Sequence, residues 1–71
     1  MSGKPATQLT PRQHEVLRYV IRGRTNKEIA SELGVSERAI KYHVSRLLSA
    51  FDVHSRAELI AHVLGLTPST K

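Results

Sequence analysis

Two predicted helices are separated by about three residues, and this short connection constrains the fold more than any other feature of the sequence. Gly34 ends the first of them, because glycine readily adopts the left-handed conformation that closes a helix. Ser36 begins the next one, since a serine side chain can accept hydrogen bonds from the free amides of a helix start. Only Val35 lies between these two signals. A connection of this length that contains a glycine is characteristic of a helix-turn-helix.

Similar start and stop signals divide the rest of the chain. A Thr or Ser followed three residues later by Gln or Glu predicts a capping box, and this pattern occurs at 10–13, 25–28 and 55–58. The predicted helices end at Gly23, at Gly34, near Asp52 and at Gly65. Because strand signals are absent, we predict an all-α fold, a compact four-helix bundle that contains the helix-turn-helix.

Apolar residues recur at helical spacing and give each predicted helix one face for a shared core. These residues are Val16, Leu17, Val20, Ile21, Ile29, Ala30, Leu33, Ile40, Val44, Leu47, Leu48, Phe51, Leu59, Ile60 and Val63. In the fourth helix, Ala57, Ala61 and Leu64 widen the apolar arc beyond what a small core needs. We therefore expect these three residues to pack against the same helix of a second copy. The alternative is that the tails or the first helix cover them.

The composition fits one small domain with a polyanionic partner. The chain has 71 residues, no cysteine, and 11 Lys and Arg against 6 Asp and Glu, a formal net charge of +5. This balance favours nucleic acid or an acidic membrane surface. No apolar run approaches the ~18 residues of a membrane span, so we expect a soluble chain. We predict one domain, residues 9–66, between flexible tails at 1–8 and 67–71.

The outward face of the third predicted helix, residues 36–50, carries the groups that a reader of the DNA major groove needs. Opposite the apolar stripe lie Arg38, Tyr42, Ser45, Arg46 and Ser49, with Lys41 on a shoulder. Long cationic side chains donate to guanine edges and phosphates, short hydroxyls permit close approach, and a flat ring can contact a thymine methyl group. The only carboxylate of this helix, on Glu37, lies in the first turn, where the helix dipole favours an acid.

Other functions have to be weighed against DNA reading. The outward face can be an ordinary solvated surface, or the chain can be a protein-interaction module whose helix-turn-helix has lost its DNA role. The cluster of cations on one face argues against that module, and the absence of flanking large apolar residues disfavours membrane-surface binding. An enzyme is not expected, because the four histidines lack i, i+4 spacing and Ser36 and Ser55 are better explained as caps. We therefore expect no catalytic residue, metal site or cofactor.

Many residues also recur in the order and at the spacing of a known bacterial domain. They are Leu9-Thr10-Pro11-Arg12, Glu15-Val16-Leu17, Gly23, Asn26-Lys27-Glu28-Ile29-Ala30, Leu33-Gly34-Val35-Ser36, Ile40-Lys41, His43, Val53 and Ser55-Arg56. This set resembles the LuxR-type helix-turn-helix, the small DNA-binding domain of many bacterial transcription regulators. The resemblance covers about residues 9–65, and its motifs are highly specific. For His43, which matches the family histidine, we expect a half-buried packing role.

The resemblance implies sequence-specific binding of double-stranded DNA in transcription regulation, with the third helix in the major groove. It implies that Lys41, Tyr42 and Ser45 approach bases or adjacent phosphates. It also implies phosphate contacts at the starts of the second and fourth helices, by Thr25, Asn26, Lys27 and Arg56. Free amides at a helix start bind anions, which independently supports those two places.

The resemblance further implies a homodimer, because family members commonly dimerise through the fourth helix. Two-fold pairing would place the recognition helices in successive major grooves, about 34 Å apart, on an inverted repeat. RNA polymerase is a candidate second partner, and the bacterial cytoplasm, at the nucleoid, is the expected location.

Four positions depart from the usual family pattern: Ala39 replaces a common threonine, Arg46 a frequent asparagine, Ala50 a common lysine, and Asp52 a Gly or Asn. Loss of the lysine removes a phosphate contact that Arg46 can restore. Asp52 can adopt the left-handed conformation, although less easily than glycine. These four departures leave the predicted fold unaffected.

Overall fold

The computed structural model describes residues 9–66, which form four α-helices and no strand. The helices are α1 (Pro11–Ile21), α2 (Asn26–Leu33), α3 (Glu37–Ala50) and α4 (Arg56–Leu64). The predicted all-α, four-helix fold is therefore confirmed. The predicted tails, residues 1–8 and 67–71, lie outside the described residues, and the predicted domain limits stay a prediction.

Two capping boxes hold the starts of α1 and α2. At α1, Thr10 Oγ1 accepts a hydrogen bond from the Gln13 amide and Gln13 Oε1 accepts one from the Thr10 amide, both at 3.1 Å. At α2, Thr25 and Glu28 make the same reciprocal pair at 3.1 and 2.9 Å. Each box satisfies amides that have no partner inside the helix. Both predicted boxes are confirmed.

The start of α4 differs from the predicted third box. Ser55 Oγ accepts a hydrogen bond from the Glu58 amide at 3.1 Å, as predicted. Glu58 Oε1, however, accepts its hydrogen bond from the amide of His54, at 2.6 Å. The φ angle of Ser55 is −146°, against −70° and −81° at the two threonine caps, and this rotation turns the Ser55 amide away from Glu58. The prediction of reciprocal capping at Ser55 is therefore wrong, because the Glu58 carboxylate accepts from the amide of His54 and not from that of Ser55.

All four helices end at a residue with positive φ. These residues are Gly23 (82°), Gly34 (69°), Asp52 (56°) and Gly65 (74°). After each of them, the next amide donates to the carbonyl five residues back, as Val35 does to Ala30 at 3.0 Å. Asp52 is the only non-glycine residue with positive φ among residues 9–66, and its short polar side chain tolerates this region better than most. The predicted ends, including the left-handed Asp52, are confirmed.

Replacing Gly34 with alanine should destabilise the domain by about 1 kcal/mol, because an L residue is strained at a φ of +69°. A Cβ added at Gly34 meets no heavy atom within 4 Å, so backbone strain and not a clash sets the cost. Thermal unfolding measures the effect. Ser31→Ala, at an exposed position of α2, is the matched control and should leave the unfolding temperature nearly unchanged. Equal unfolding temperatures for Gly34→Ala and the control would contradict the strain argument.

The core lies between α3 and its three neighbours, since α3 packs against α1, α2 and α4, and α1 also packs against α4. Nine predicted core residues are buried: Val16, Leu17, Val20, Ile29, Ala30, Ile40, Val44, Leu47 and Leu59. The other six pack against them while partly buried: Ile21, Leu33, Leu48, Phe51, Ile60 and Val63. The central position of α3 fixes which of its faces is left for solvent.

Candidate nucleic-acid interface

The face of α3 opposite the core is exposed along its whole length. Ile40, Val44 and Leu47 point into the core. The six polar residues predicted for the outward face are all exposed: Arg38, Lys41, Tyr42, Ser45, Arg46 and Ser49. We call the five that were predicted to bind in the major groove, Arg38, Lys41, Tyr42, Ser45 and Arg46, the α3 outer face. The predicted orientation of the helix is confirmed, whereas the DNA contacts themselves stay predictions.

Tyr42 is an exposed large hydrophobic side chain of α3, with 58% of its surface accessible. Its ring meets the ring of His43 edge to face, with centroids 5.4 Å apart. His43 is partly buried, as predicted, and its Nδ1 is a buried atom without a hydrogen-bond partner. The imidazole therefore acts as a packing surface beside the outer face, and it supports one edge of the tyrosine ring.

The positive charge of the α3 outer face is not neutralised within the protein. The only ion pair recorded within residues 9–66 joins Arg12 to Glu15 on α1, at 3.3 Å. The cations of α3, on Arg38, Lys41 and Arg46, therefore have no carboxylate partner in the described part of the chain. Unpaired cations on a rigid helix are available to phosphates and to the acceptor edges of bases.

A second polar group lies at the start of α2. Thr25, Asn26 and Lys27 form the cap and the first two positions of the helix. The amides of Asn26 and Lys27 belong to the set that has no intrahelical acceptor, and the positive end of the helix dipole lies there. Thr25 Oγ1 accepts from the Glu28 amide, which leaves its hydroxyl proton free to donate. The arrangement suits an anion.

Arg56, the first residue of α4, is brought to this second group by tertiary packing. Its Nη1 donates to Asn26 Oδ1 at 2.7 Å, and its Nη2 donates to the carbonyl oxygen of Arg24 at 2.5 Å. The structure thus unites two predicted phosphate-binding places that are 30 residues apart in the sequence. Sequence reasoning named both residues but missed the bonds between them, since no local pattern reports a contact across that separation.

The face of α4 that was predicted to pack against a second copy of the chain is largely exposed within the described residues. Leu64 is 51% exposed and Ala57 is exposed, while Ala61 is partly buried. Helix α1 therefore leaves about half of the Leu64 surface uncovered. Leu66, just beyond α4, is 66% exposed and extends the apolar surface.

Within residues 9–66 no three His, Cys, Asp or Glu side chains come together as a metal-binding group. Ser36 and Ser55 both act as caps, accepting from the amides of Ala39 and Glu58. None of the helices in this part of the chain combines the length and apolar character needed to span a bilayer.

Comparisons with known proteins show the family to which this fold belongs. Residues 7–63 match the family of bacterial regulatory proteins, luxR family. The chain is 42% identical over 62 residues to the two-component response regulator PprB of Pseudomonas aeruginosa. These residues are 87% of the chain and 22% of PprB. It is 36% identical over 56 residues to the spore germination protein GerE of Bacillus subtilis. These residues are 79% of the chain and 76% of GerE.

PprB is much longer than this chain, and so is the nitrate/nitrite response regulator NarL of Escherichia coli. The chain is 36% identical to NarL and spans 26% of its length. A similar solved fold is the DNA-binding domain of the response regulator ComA, in its crystal structure with the anti-activator RapF. The TM-score is 0.71 at 40% identity, over 75% of this chain and 91% of the other. PprB, NarL and ComA are response regulators. The chain therefore belongs to the luxR family of bacterial regulatory proteins and is a DNA-binding domain of that type.

Proposed function

We propose that this domain binds double-stranded DNA in a sequence-specific manner, with α3 lying in the major groove. One observation carries the proposal: the donors of the α3 outer face are exposed together on a helix whose other face is the core. An α-helix fits the width of the major groove, where each base pair presents a distinct pattern of donors and acceptors. A rigid core behind the helix keeps that face in one orientation.

The residues of the α3 outer face take different roles in this proposal. Arg38, at the N-terminal end, and Tyr42, one turn later, approach base edges, and Ser45 lets the backbone come close to the DNA. Lys41 and Arg46 donate to phosphates or to guanines beside them. Arg46 also compensates for the lysine that Ala50 replaces.

Phosphate contacts outside the groove come from the second group, Thr25, Asn26, Lys27 and Arg56. The free amides of the first turn of α2 and the hydroxyl of Thr25 are donors of the kind that fix a protein on the DNA backbone. Arg56 uses two of its five N–H donors inside the protein, so three are left for an anion. These contacts set the register in which α3 reads.

Titration with mixed-sequence duplex DNA at low salt tests the proposal against the rival protein-interaction module. If each protomer makes about four to six phosphate contacts, log K should fall against log salt with a slope of about −4 to −5. A domain that has lost its DNA role would show no binding at any salt concentration.

Lys41→Ala should weaken binding to all duplexes to a similar extent and should reduce the salt slope by about 1, because Lys41 neutralises a phosphate. Fluorescence anisotropy with labelled duplexes of several sequences measures both quantities. Arg18→Ala, at an exposed position of α1, removes the same charge outside the proposed interface and serves as the control. Equal slopes for Lys41→Ala and the wild type would place Lys41 away from the DNA.

The proposed complex is a homodimer on an inverted repeat, formed through Ala57, Ala61 and Leu64. Its support is the open apolar face of α4 together with the spacing of 4 and 3 residues, which puts the three side chains on one side of the helix. An isologous contact of this kind imposes two-fold symmetry on the DNA site. Recognition helices would then enter successive major grooves, about 34 Å apart.

A regulator in which this domain acts needs an output as well as a DNA site, and we propose RNA polymerase as the protein that receives it, at the bacterial nucleoid.

A further inference from the structure

The hydrogen bonds of Arg56 determine how the side chain of Asn26 is oriented. A guanidinium group has donors only, so the atom of the Asn26 carboxamide that faces Arg56 has to be Oδ1, the acceptor. The amide nitrogen Nδ2 therefore points to the opposite side. It donates no hydrogen bond within the described residues.

The Nδ2 atom of Asn26 also keeps access to solvent. Among the described residues, the only buried side-chain polar atom without a partner is Nδ1 of His43. Asn26 Nδ2 also has no partner, but it is not one of these buried atoms. It is therefore accessible to solvent, and its two N–H donors are available to a ligand. They lie at the first helical position of α2, beside the amides proposed to meet a phosphate.

We propose that Arg56 is a positioning residue for DNA binding, which holds Asn26 so that Nδ2 donates to a DNA phosphate. The inference rests on the proposed function and deepens it, because it assigns to Arg56 a role exerted through Asn26 in addition to any direct contact. Since Arg56 belongs to α4, the same bond ties the helix of the proposed dimer contact to the start of α2.

The second bond of Arg56 explains why arginine suits this position. Nη2 donates to the carbonyl of Arg24 while Nη1 donates to Asn26, so one planar group bridges two acceptors on the turn before α2. A lysine ammonium is a point charge and cannot reproduce this fixed geometry. Lysine at position 56 would keep the charge but leave the carboxamide free to rotate.

Asn26→Asp separates the orientation of the side chain from its donor. An aspartate still accepts from Arg56, and an acid is favourable in the first turn of a helix, so the unfolding temperature should be equal or higher. The variant has no N–H to offer a phosphate, and we expect its affinity for mixed-sequence duplex DNA to fall about tenfold or more. Gln13→Glu, which adds the same charge to the α1 capping box, is the control and should lose much less affinity.

A double-mutant cycle tests the positioning role itself. We expect Asn26→Ala to weaken DNA binding in the wild-type background and to have little further effect in the Arg56→Lys background, where the carboxamide is already misplaced. The same fold-change in both backgrounds would overturn the inference. Undiminished binding by Asn26→Asp would also overturn it while leaving the proposed function intact, whereas a wild-type domain that binds no duplex would refute the proposed function. Circular dichroism of every variant establishes that it is folded.

Discussion

Replacing Leu47 with alanine is expected to remove about 2–5 kcal/mol of stability, because Leu47 has no exposed surface and its removal leaves a cavity in the core. A domain of 71 residues has a total stability of about 4–10 kcal/mol. The variant should therefore lose a large part of its stability and unfold at a much lower urea concentration. Urea unfolding followed by circular dichroism measures the change.

Arg46→Ala is the matched control, since Arg46 precedes Leu47 on the same helix but is exposed. Its unfolding free energy should change by less than about 0.5 kcal/mol, while its affinity for DNA falls. The two neighbouring substitutions should thus have different effects: Leu47→Ala lowers the stability of the fold, and Arg46→Ala lowers the affinity for DNA. If Arg46→Ala destabilised the domain as strongly as Leu47→Ala, the assigned orientation of α3 would be wrong.

Leu64→Arg is expected to weaken binding to a duplex with two half-sites by at least about tenfold, while the affinity for a single half-site is unchanged. Leu64 is 51% exposed in the single chain, and burying the rest of it in both protomers contributes roughly 2 kcal/mol. An arginine in the contact would also place two positive charges against each other. Gel shift with one-site and two-site duplexes measures both affinities, and thermal unfolding establishes that the monomer is folded.

His62→Arg controls for the added charge, because His62 lies on the other side of α4, where its ring meets that of Phe51 at 5.4 Å. Its binding to the two-site duplex should stay close to that of the wild type. Equal losses in both variants would attribute the effect to charge and not to the dimer contact. Unchanged binding by Leu64→Arg would rule out the proposed contact.

Local patterns in the sequence were enough to predict most of the fold. The Thr10–Gln13 and Thr25–Glu28 boxes depend on residues three apart, and the three glycine ends depend on a single backbone angle, so short segments specify them. The orientation of α3 follows from the period of its apolar residues, which places Tyr42 on the solvent side.

What the sequence could not predict depends on tertiary structure. The amide that Glu58 caps is set by the φ angle of Ser55, which the Ser-x-x-Glu pattern does not report. The bonds of Arg56 to Asn26 and Arg24 span 30 and 32 residues and exist only because α4 packs where it does. The resemblance to the family named Arg56 as a phosphate ligand, and the structure adds that its guanidinium already has two partners inside the protein.

Selection of bound duplexes from a random pool, made in parallel with the wild type, Arg38→Ala and Tyr42→Ala, tests most directly whether the α3 outer face reads bases. We expect the wild type to select an inverted repeat, and each variant to lose its preference at particular base pairs of each half-site while keeping the others. The same preferred sequences in the same rank order for all three proteins would contradict the account, because the exposed face of α3 would then contribute charge but no base recognition.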